Sequence, residues 1–250
     1  MRRDRAARGG PELFLLERAF DDCLERVALM KRQFGRALLI GCPNPRWAAG
    51  LSEFAAVVDA RDPGLQFAAA AAGAQIVEDA WEPPEHAHDL VLAIGTLDTV
   101  NDLALALRLI RHAMAPDGLF IGALSGGDTL PQLRSAMRAA DALSREARPH
   151  VHPRIEPSAL SPLLADAGFL RPVVDVDRVQ ANYGSFQRLV ADLRAMAATN
   201  VLKARPRSLT SAEFQAAVRA FEAAGDGQRT TEIFEIVHFA AWTPQRLTRH

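Results

Sequence analysis

Five short, predominantly apolar runs alternate with amphipathic segments between residues 34 and 124, and few folds accept that pattern. The runs are Arg36–Gly41 (R-A-L-L-I-G), Ala55–Ala60, Ala74–Val77, Asp89–Gly95 (D-L-V-L-A-I-G) and Leu119–Leu124. A strand that is apolar on both sides must be covered on both sides, which a parallel sheet between two layers of helices achieves. The intervening segments Trp47–Phe54, Leu65–Ala72 and Asp102–Ala115 read as those helices. The last carries Leu103, Leu107, Ile110 and Met114 on one face. Pro83-Pro84 breaks the chain, and Pro116-Asp117-Gly118 has the chemistry of a turn. Right-handed crossovers then limit the topology to a doubly wound α/β sheet.

Outside this core, Leu13, Leu16, Phe20, Leu24, Val27 and Phe34 recur at helical spacing, so a long amphipathic helix over Glu12–Phe34 comes first. After Gly126 the spacing predicts helices over Thr129–Glu146, Glu156–Ala167, Phe186–Ala198 and Ala212–Ala224. Strands are expected at Val173–Val179 and Thr231–Trp242, adding antiparallel pairs at one edge. The expected fold is a mostly parallel, seven-stranded Rossmann-like α/β sheet in a single domain over 1–250. Its parts are an N-terminal helical extension (1–34), a core sheet (35–124), helical lid segments (125–168 and 184–225) and a last strand (229–242).

Composition narrows the function classes. At 49% hydrophobic and net charge −1 the chain is neither disordered nor a bulk-electrostatic nucleic-acid binder. Its two cysteines, Cys23 and Cys42, give no disulfide framework and point to a reducing compartment. Lys31 and Lys203 are the only lysines, a bias towards Arg expected of a GC-rich bacterial genome. The N-terminus is basic, but no apolar run of signal or membrane-spanning length follows it. A cytoplasmic protein without a membrane span is expected.

The run V-N-D-L-A-L-A-L-R-L-I-R-H-A-M-A-P-D-G-L-F-I-G-A-L-S-G-G-D-T-L-P-Q-L-R (Val100–Arg134) resembles class I S-adenosylmethionine-dependent methyltransferase-like proteins. More narrowly it is similar to the branch containing the mitochondrial complex I assembly factor 5, a protein arginine hydroxylase. That branch is related to the malonyl-carrier-protein methyltransferase of biotin synthesis. The opening R-R-D-R-A-A-R, Phe14–Leu38, Pro149-His150-Val151-His152-Pro153 and Val179–Asn200 carry the same likeness. It implies S-adenosylmethionine as cofactor, bound near Gly41, Cys42, Asp59, Asp79, Ala80, Ala93 and Ile94, and a respiratory-chain subunit as partner.

The loop after the first strand departs from the pattern this resemblance implies, an acidic residue followed by Gly-x-Gly-x-Gly. Gly41 matches, but Leu39 stands where the acid belongs, and Pro43 and Pro45 stand where two glycines belong. Each proline fixes φ and removes an N–H donor, and a leucine cannot hold an ammonium group. Asp59, read as the end of the second strand, suits ribose hydroxyls, and Asp79 suits an adenine amine; both also suit strand-end loops facing water. Asp98 and Thr99 stand where relatives carry a His-Trp pair before V-N-D.

Three residues are candidates for chemistry. Asp128 of G-G-D-T either caps the next helix, as Thr129 also could, or faces the substrate mouth. His152 pairs with His150 as His-x-His, but no third ligand has diagnostic spacing, and no metal is expected. Tyr183, the only tyrosine, lies at a strand-to-helix junction, where it either packs in the core with its hydroxyl satisfied or, as the resemblance implies, lines the pocket under the lid. Cys23 and Cys42 read as buried small residues, and Arg134, Arg138, Arg145 and Arg148 as a solvated face or one that meets an acidic partner. Three functions fit: a protein-directed modification or assembly protein with an altered cofactor loop, an active methyltransferase on a small or carrier-bound acid, and a non-catalytic scaffold.

Overall fold

A computed structural model describes residues 2–203 and 207–245. The expected domain and lid spans also extend over Met1, 204–206 and 246–250, which lie outside the described residues. Seven strands form one sheet: β1 (Phe34–Ile40), β2 (Ala55–Asp62), β3 (Ala74–Gln75), β4 (His88–Ile94), β5 (Met114–Ser125), β6 (Leu170–Tyr183) and β7 (Thr230–Trp242). Their order is β3-β2-β1-β4-β5-β7-β6. The first five are parallel, and β7 inserts antiparallel between β5 and β6. The doubly wound class and the antiparallel edge are as the apolar pattern predicts.

The helices are α1 (Arg2–Gly9), α2 (Phe14–Leu29), α3 (Arg46–Leu51), α4 (Leu65–Ala70), α5 (Leu103–Ala113), α6 (Pro131–Ser144), α7 (Pro157–Asp166), α8 (Phe186–Ala195) and α9 (Ser211–Ala223). Alternate residues of the central strands supply two cores. Leu39, Leu90, Leu92 and Ile94 face Phe20, Cys23 and Val27 of α2 and Trp47 of α3. There the Phe20 and Trp47 rings stack at 4.4 Å. Leu38, Ile40, Val91 and Ala93 face Leu107 and Ile110 of α5 and Leu160 and Leu164 of α7. A third cluster joins α6, α8 and α9 through Leu133, Met137, Phe186, Leu189 and Phe221. No described helix is long and apolar enough to cross a membrane.

Several boundaries differ from the expected ones. The second strand does not stop near Asp59: pairing with β1 continues through Ile40↔Arg61, so its carboxyl end is Asp62. The third strand shortens to two residues. Pro116-Asp117-Gly118 is no free turn but an irregularity inside β5, where the register against β4 shifts between His88 and Leu90. Asp117 takes a φ of +57° there, and the Gly118 N–H is satisfied by the Thr243 hydroxyl at 2.8 Å. The first ten residues, read from sequence only as a basic stretch without an apolar run, contain α1.

Neither Asp128 nor Thr129 caps the helix that follows. The residue before α6 is Leu130, in the left-handed region at φ 65° with no side-chain cap. Instead Glu232, fully buried on β7, accepts from the first-turn N–H groups of Gln132 and Leu133 at 3.2 and 2.8 Å. Thr129 turns inward and exchanges hydrogen bonds with the Glu235 backbone. Glu232→Ala leaves two buried donors unpaired, so urea unfolding is expected to show a loss of about 1–3 kcal/mol. Asp128→Ala, at an exposed side chain, is expected to stay within about 0.5 kcal/mol of the parent.

Candidate functional site

The carboxyl ends of parallel strands are where an open α/β sheet binds ligands. Here they present Gly41 after β1, Asp62 on β2, Glu78 and Asp79 after β3, Gly95 and Thr96 after β4, and Ser125 on β5. Gly41 has φ +87°, and a Cβ there would lie 2.2 Å from the Ile94 carbonyl oxygen. Glycine is therefore demanded by the contact between the β1 and β4 exits, whatever the loop binds. At Gly95, φ +60°, a Cβ would meet the Leu16 side chain of α2 at 2.5 Å.

The loop after β1 turns its polar groups inward or sideways. Asn44 donates to Glu17 of α2 at 3.2 Å and accepts from the Arg46 N–H at 3.0 Å. Cys42 is fully buried, its thiol pushed up to about 12 by burial, and its N–H donates to Asp62 at 2.8 Å. Pro43 is buried and Leu39 lies wholly in the α2-facing core. No acid among these residues faces the cleft.

Asp62 is the carboxylate that the sequence reading missed. It is fully buried and accepts from Arg3 Nε at 2.7 Å, Arg3 Nη2 at 2.5 Å, the Cys42 N–H and the Gly64 N–H at 2.7 Å. The signal for it was Pro63-Gly64, which ends the strand one residue later and opens α4. Asp59, assigned to the strand end, sits instead mid-strand beside the amino end of β4. It accepts from Arg36 Nε at 2.6 Å and lies 2.9 Å from His88 Nε2. The Arg36 bond, then His88, holds its carboxyl below the usual range. Asp59 is thus an ion-pair partner on the side of the sheet away from the cleft.

Asp79 follows β3 beside Glu78. It accepts from the Asp102 N–H at 2.9 Å, and Asp102 in turn caps α5 through the Leu105 N–H at 2.8 Å. Ala80 is exposed next to it, while Ala93 and Ile94 bury their side chains in the two cores. Burial raises the pKa of Glu78. A polar cavity of about 840 Å³ opens here, lined by Arg2, Arg3, Glu78, Thr96, Thr99 and Asn200. It has the dimensions of a small-molecule site, roughly 300–1,000 Å³.

A second, narrow cavity of about 80 Å³ lies beyond β4 and β5. Leu15 and Leu16 of α2, Leu124, and Leu193 and Met196 form its apolar walls, and Arg2, Asp98 and Arg154 its polar end. Arg154 and Asp98 make a buried ion pair with side chains 3% and 8% exposed. Among the described residues, Arg154 Nε and Asp98 Oδ1 have no hydrogen-bond partner.

The three chemistry candidates do not converge. His152 lies near the Arg154–Asp98 pair, its Nδ1 3.4 Å from Asn200 Oδ1, and burial lowers its pKa. Asp128 is two-thirds exposed and pairs with Arg178 at 2.9 Å, outside both cavities. Tyr183 belongs to the cluster of α6, α8 and α9, so it does not line either cavity. Its hydroxyl is buried without a partner among the described residues and pushed up to about 12 by burial. His150 is bound to Asp141 at 2.8 Å, and among the described residues no group of three or more His, Cys, Asp or Glu side chains could hold a metal ion. Of the arginines read as a solvated face, Arg148 is instead buried between Asp141 and Glu213.

Comparison with known proteins gives the same picture from another side. Residues 14–170 match a family described as a methyltransferase domain. The chain is 31% identical over 243 residues to the mitochondrial arginine-hydroxylase NDUFAF5 of Danio rerio, covering 92% of this chain and 75% of that protein. It is 32% identical over 158 residues to the malonyl-acyl-carrier-protein O-methyltransferase of Xylella fastidiosa, covering 62% of this chain and 52% of that protein. Among solved structures, the YcgJ protein of Bacillus subtilis superposes with a TM-score of 0.58 at 11% identity, covering 89% of this chain and 99% of the other. That last likeness is one of fold.

Because Tyr183 carries an unpaired buried hydroxyl, Tyr183→Phe is expected to leave the chain as stable or to stabilise it by about 1 kcal/mol. A lower urea midpoint would show that the hydroxyl has a partner after all.

Proposed function

The chain belongs to the methyltransferase-domain family, and from that premise we propose that it is a methyltransferase-like protein acting on a protein substrate, a respiratory-chain subunit during its assembly. The arginine-hydroxylase relative, similar over most of both chains, supports this direction. The observation that carries it is the uneven cleft. The side that would receive a nucleoside is equipped: Asp62 ends β2 against Arg3, and Asp79 follows β3 next to Glu78, with Arg3 and Glu78 lining a polar cavity large enough for a ligand. The side that would receive the amino-acid part of S-adenosylmethionine is less so, since Leu39 is buried, Pro43 and Pro45 have no N–H to offer, and the loop carries no acidic side chain to pair with an ammonium group. The adenosine portion therefore fits these residues better than the methionine portion does. Such a cleft suits weak or partial use of the cofactor more than rapid methyl transfer. Helices α6, α8 and α9 act in this reading as the lid over the substrate side.

One feature favours a second reading, methylation of a small or carrier-bound acid. Arg154, buried with a free Nε, and Arg2 beside it form a receptor for a carboxylate at the end of an apolar channel.

Titration calorimetry with S-adenosylhomocysteine separates the readings. Asp79→Ala is expected to weaken binding about tenfold, roughly the worth of one hydrogen bond. Restoring Leu39→Asp with Pro43→Gly and Pro45→Gly is expected to strengthen S-adenosylmethionine binding more than adenosine binding. If the triple change leaves both unaltered, the explanation of the loop is wrong. Native isolation is expected to bring down a respiratory-chain subunit; its absence, together with turnover of a small acid, decides for the second reading.

A further inference from the structure

Charge, far more than apolar burial, holds α1 on the cleft. Its sequence R-R-D-R-A-A-R-G buries only Arg3 and Ala6. Arg3 grips both oxygens of Asp62, its Nη1 reaches the Gly95 carbonyl at 3.4 Å, and its guanidinium lies 5.3 Å from the centre of the Phe67 ring. Arg2 bonds the Thr99 hydroxyl and the Thr199 carbonyl, at 2.5 and 3.2 Å. Asp4 accepts from the Gln66 N–H at 3.1 Å. Behind these contacts the chain passes through Gly9 and Gly10 before α2 begins at Phe14. Gly10 has φ +83°, and no atom lies within 4 Å of the place a Cβ would take at either glycine.

A carboxylate offers about four acceptor positions. Asp62 spends two on the backbone N–H groups of Cys42 and Gly64, which fix the loop, and the other two on Arg3. The two hydroxyls of a ribose would need the positions that Arg3 holds. Only one of them can be there.

We propose that α1 is an autoinhibitory strap: Arg3 occupies the acceptor carboxylate of the nucleoside site, and the cleft takes a nucleoside only when α1 swings away about Gly9-Gly10. This rests on reading the cleft as a nucleoside site. The energetics permit a switch. A buried ion pair returns little beyond its desolvation cost, and the small apolar contact of Ala6 with Phe67 and Ala197 adds modestly. Arg2 is held at a similar disadvantage, since burial lowers its pKa to about 10. Release rehydrates both guanidinium groups, and the diol replaces Arg3 as the donor to Asp62.

The test uses the full chain and S-adenosylhomocysteine as probe. Arg3→Met, which keeps the packing but removes the donor, is expected to bind it at least tenfold more tightly than the parent, while Arg8→Met, at an exposed position, binds as the parent does. A second measurement needs no substitution. Trypsin cleavage after Arg5 and Arg8 of the parent chain is expected to accelerate when the probe is saturating, because the strap is then displaced. Equal or weaker binding by Arg3→Met overturns the strap, as does slower cleavage with ligand, which would mean that α1 closes over the nucleoside. If none of the three proteins binds the probe, the nucleoside reading falls, and the strap with it; binding by all three with equal affinity removes the strap alone.

Discussion

Four donors converge on the buried carboxylate of Asp62, and the arrangement of the cleft follows from satisfying it. A buried carboxylate without partners is costly, so the loop after β1, the start of α4 and the N-terminal helix all arrange themselves around its two oxygens. The Cys42 N–H fixes the turn that Gly41 makes possible, and the Gly64 N–H sets the direction of the chain into α4. Arg3 then brings α1 across the strand ends. Residues far apart in sequence are thereby tied to one point, and that point lies where the fold places ligands.

The sheet was legible because its signal is thermodynamic and local. Strands buried on both faces must be apolar in their centres, and Ala37–Ile40, Leu90–Ile94 and Leu119–Leu124 are, so the class followed. The cleft was less legible because its signal is relational. Asp59 and Asp62 lie in the same short segment, and only pairing with β1 shows which one reaches the carboxyl end. Composition alone cannot distinguish them, although Pro63-Gly64 was a cue. The cap of α6 was missed for a similar reason: G-G-D-T looks like a capping sequence, but the carboxylate that does the capping, Glu232, arrives from β7. Tyr183 could be read either as core or as pocket, and only the packing of α6, α8 and α9 around its ring shows it joining their cluster. The departures at Leu39, Pro43 and Pro45 were plain in sequence; their consequence for the cleft needed the burial and bonding of their neighbours.

The site that results is uneven in charge as well as in shape. Arginines from α1 and Arg154 surround it, while its carboxylates are paired, buried or engaged with backbone. A cationic sulfonium compound gains little from such surroundings, and a neutral nucleoside or a carboxylate gains more. The two functional readings differ in which of these partners matters, and both draw on the same few side chains.

The order of the sheet also sets a schedule for the growing polypeptide. β6 leaves the ribosome well before β7 but among the described strands pairs with β7 alone, and β7 must enter between it and β5. The parallel half can assemble while synthesis continues, yet β6 waits as an unpaired ribbon until the final strand arrives. Glu232, which caps α6, and Glu235, which lines the narrow cavity, travel on that strand, so both are in place only when it is, and a chain lacking β7 would lose the pairing of two strands for the deletion of one.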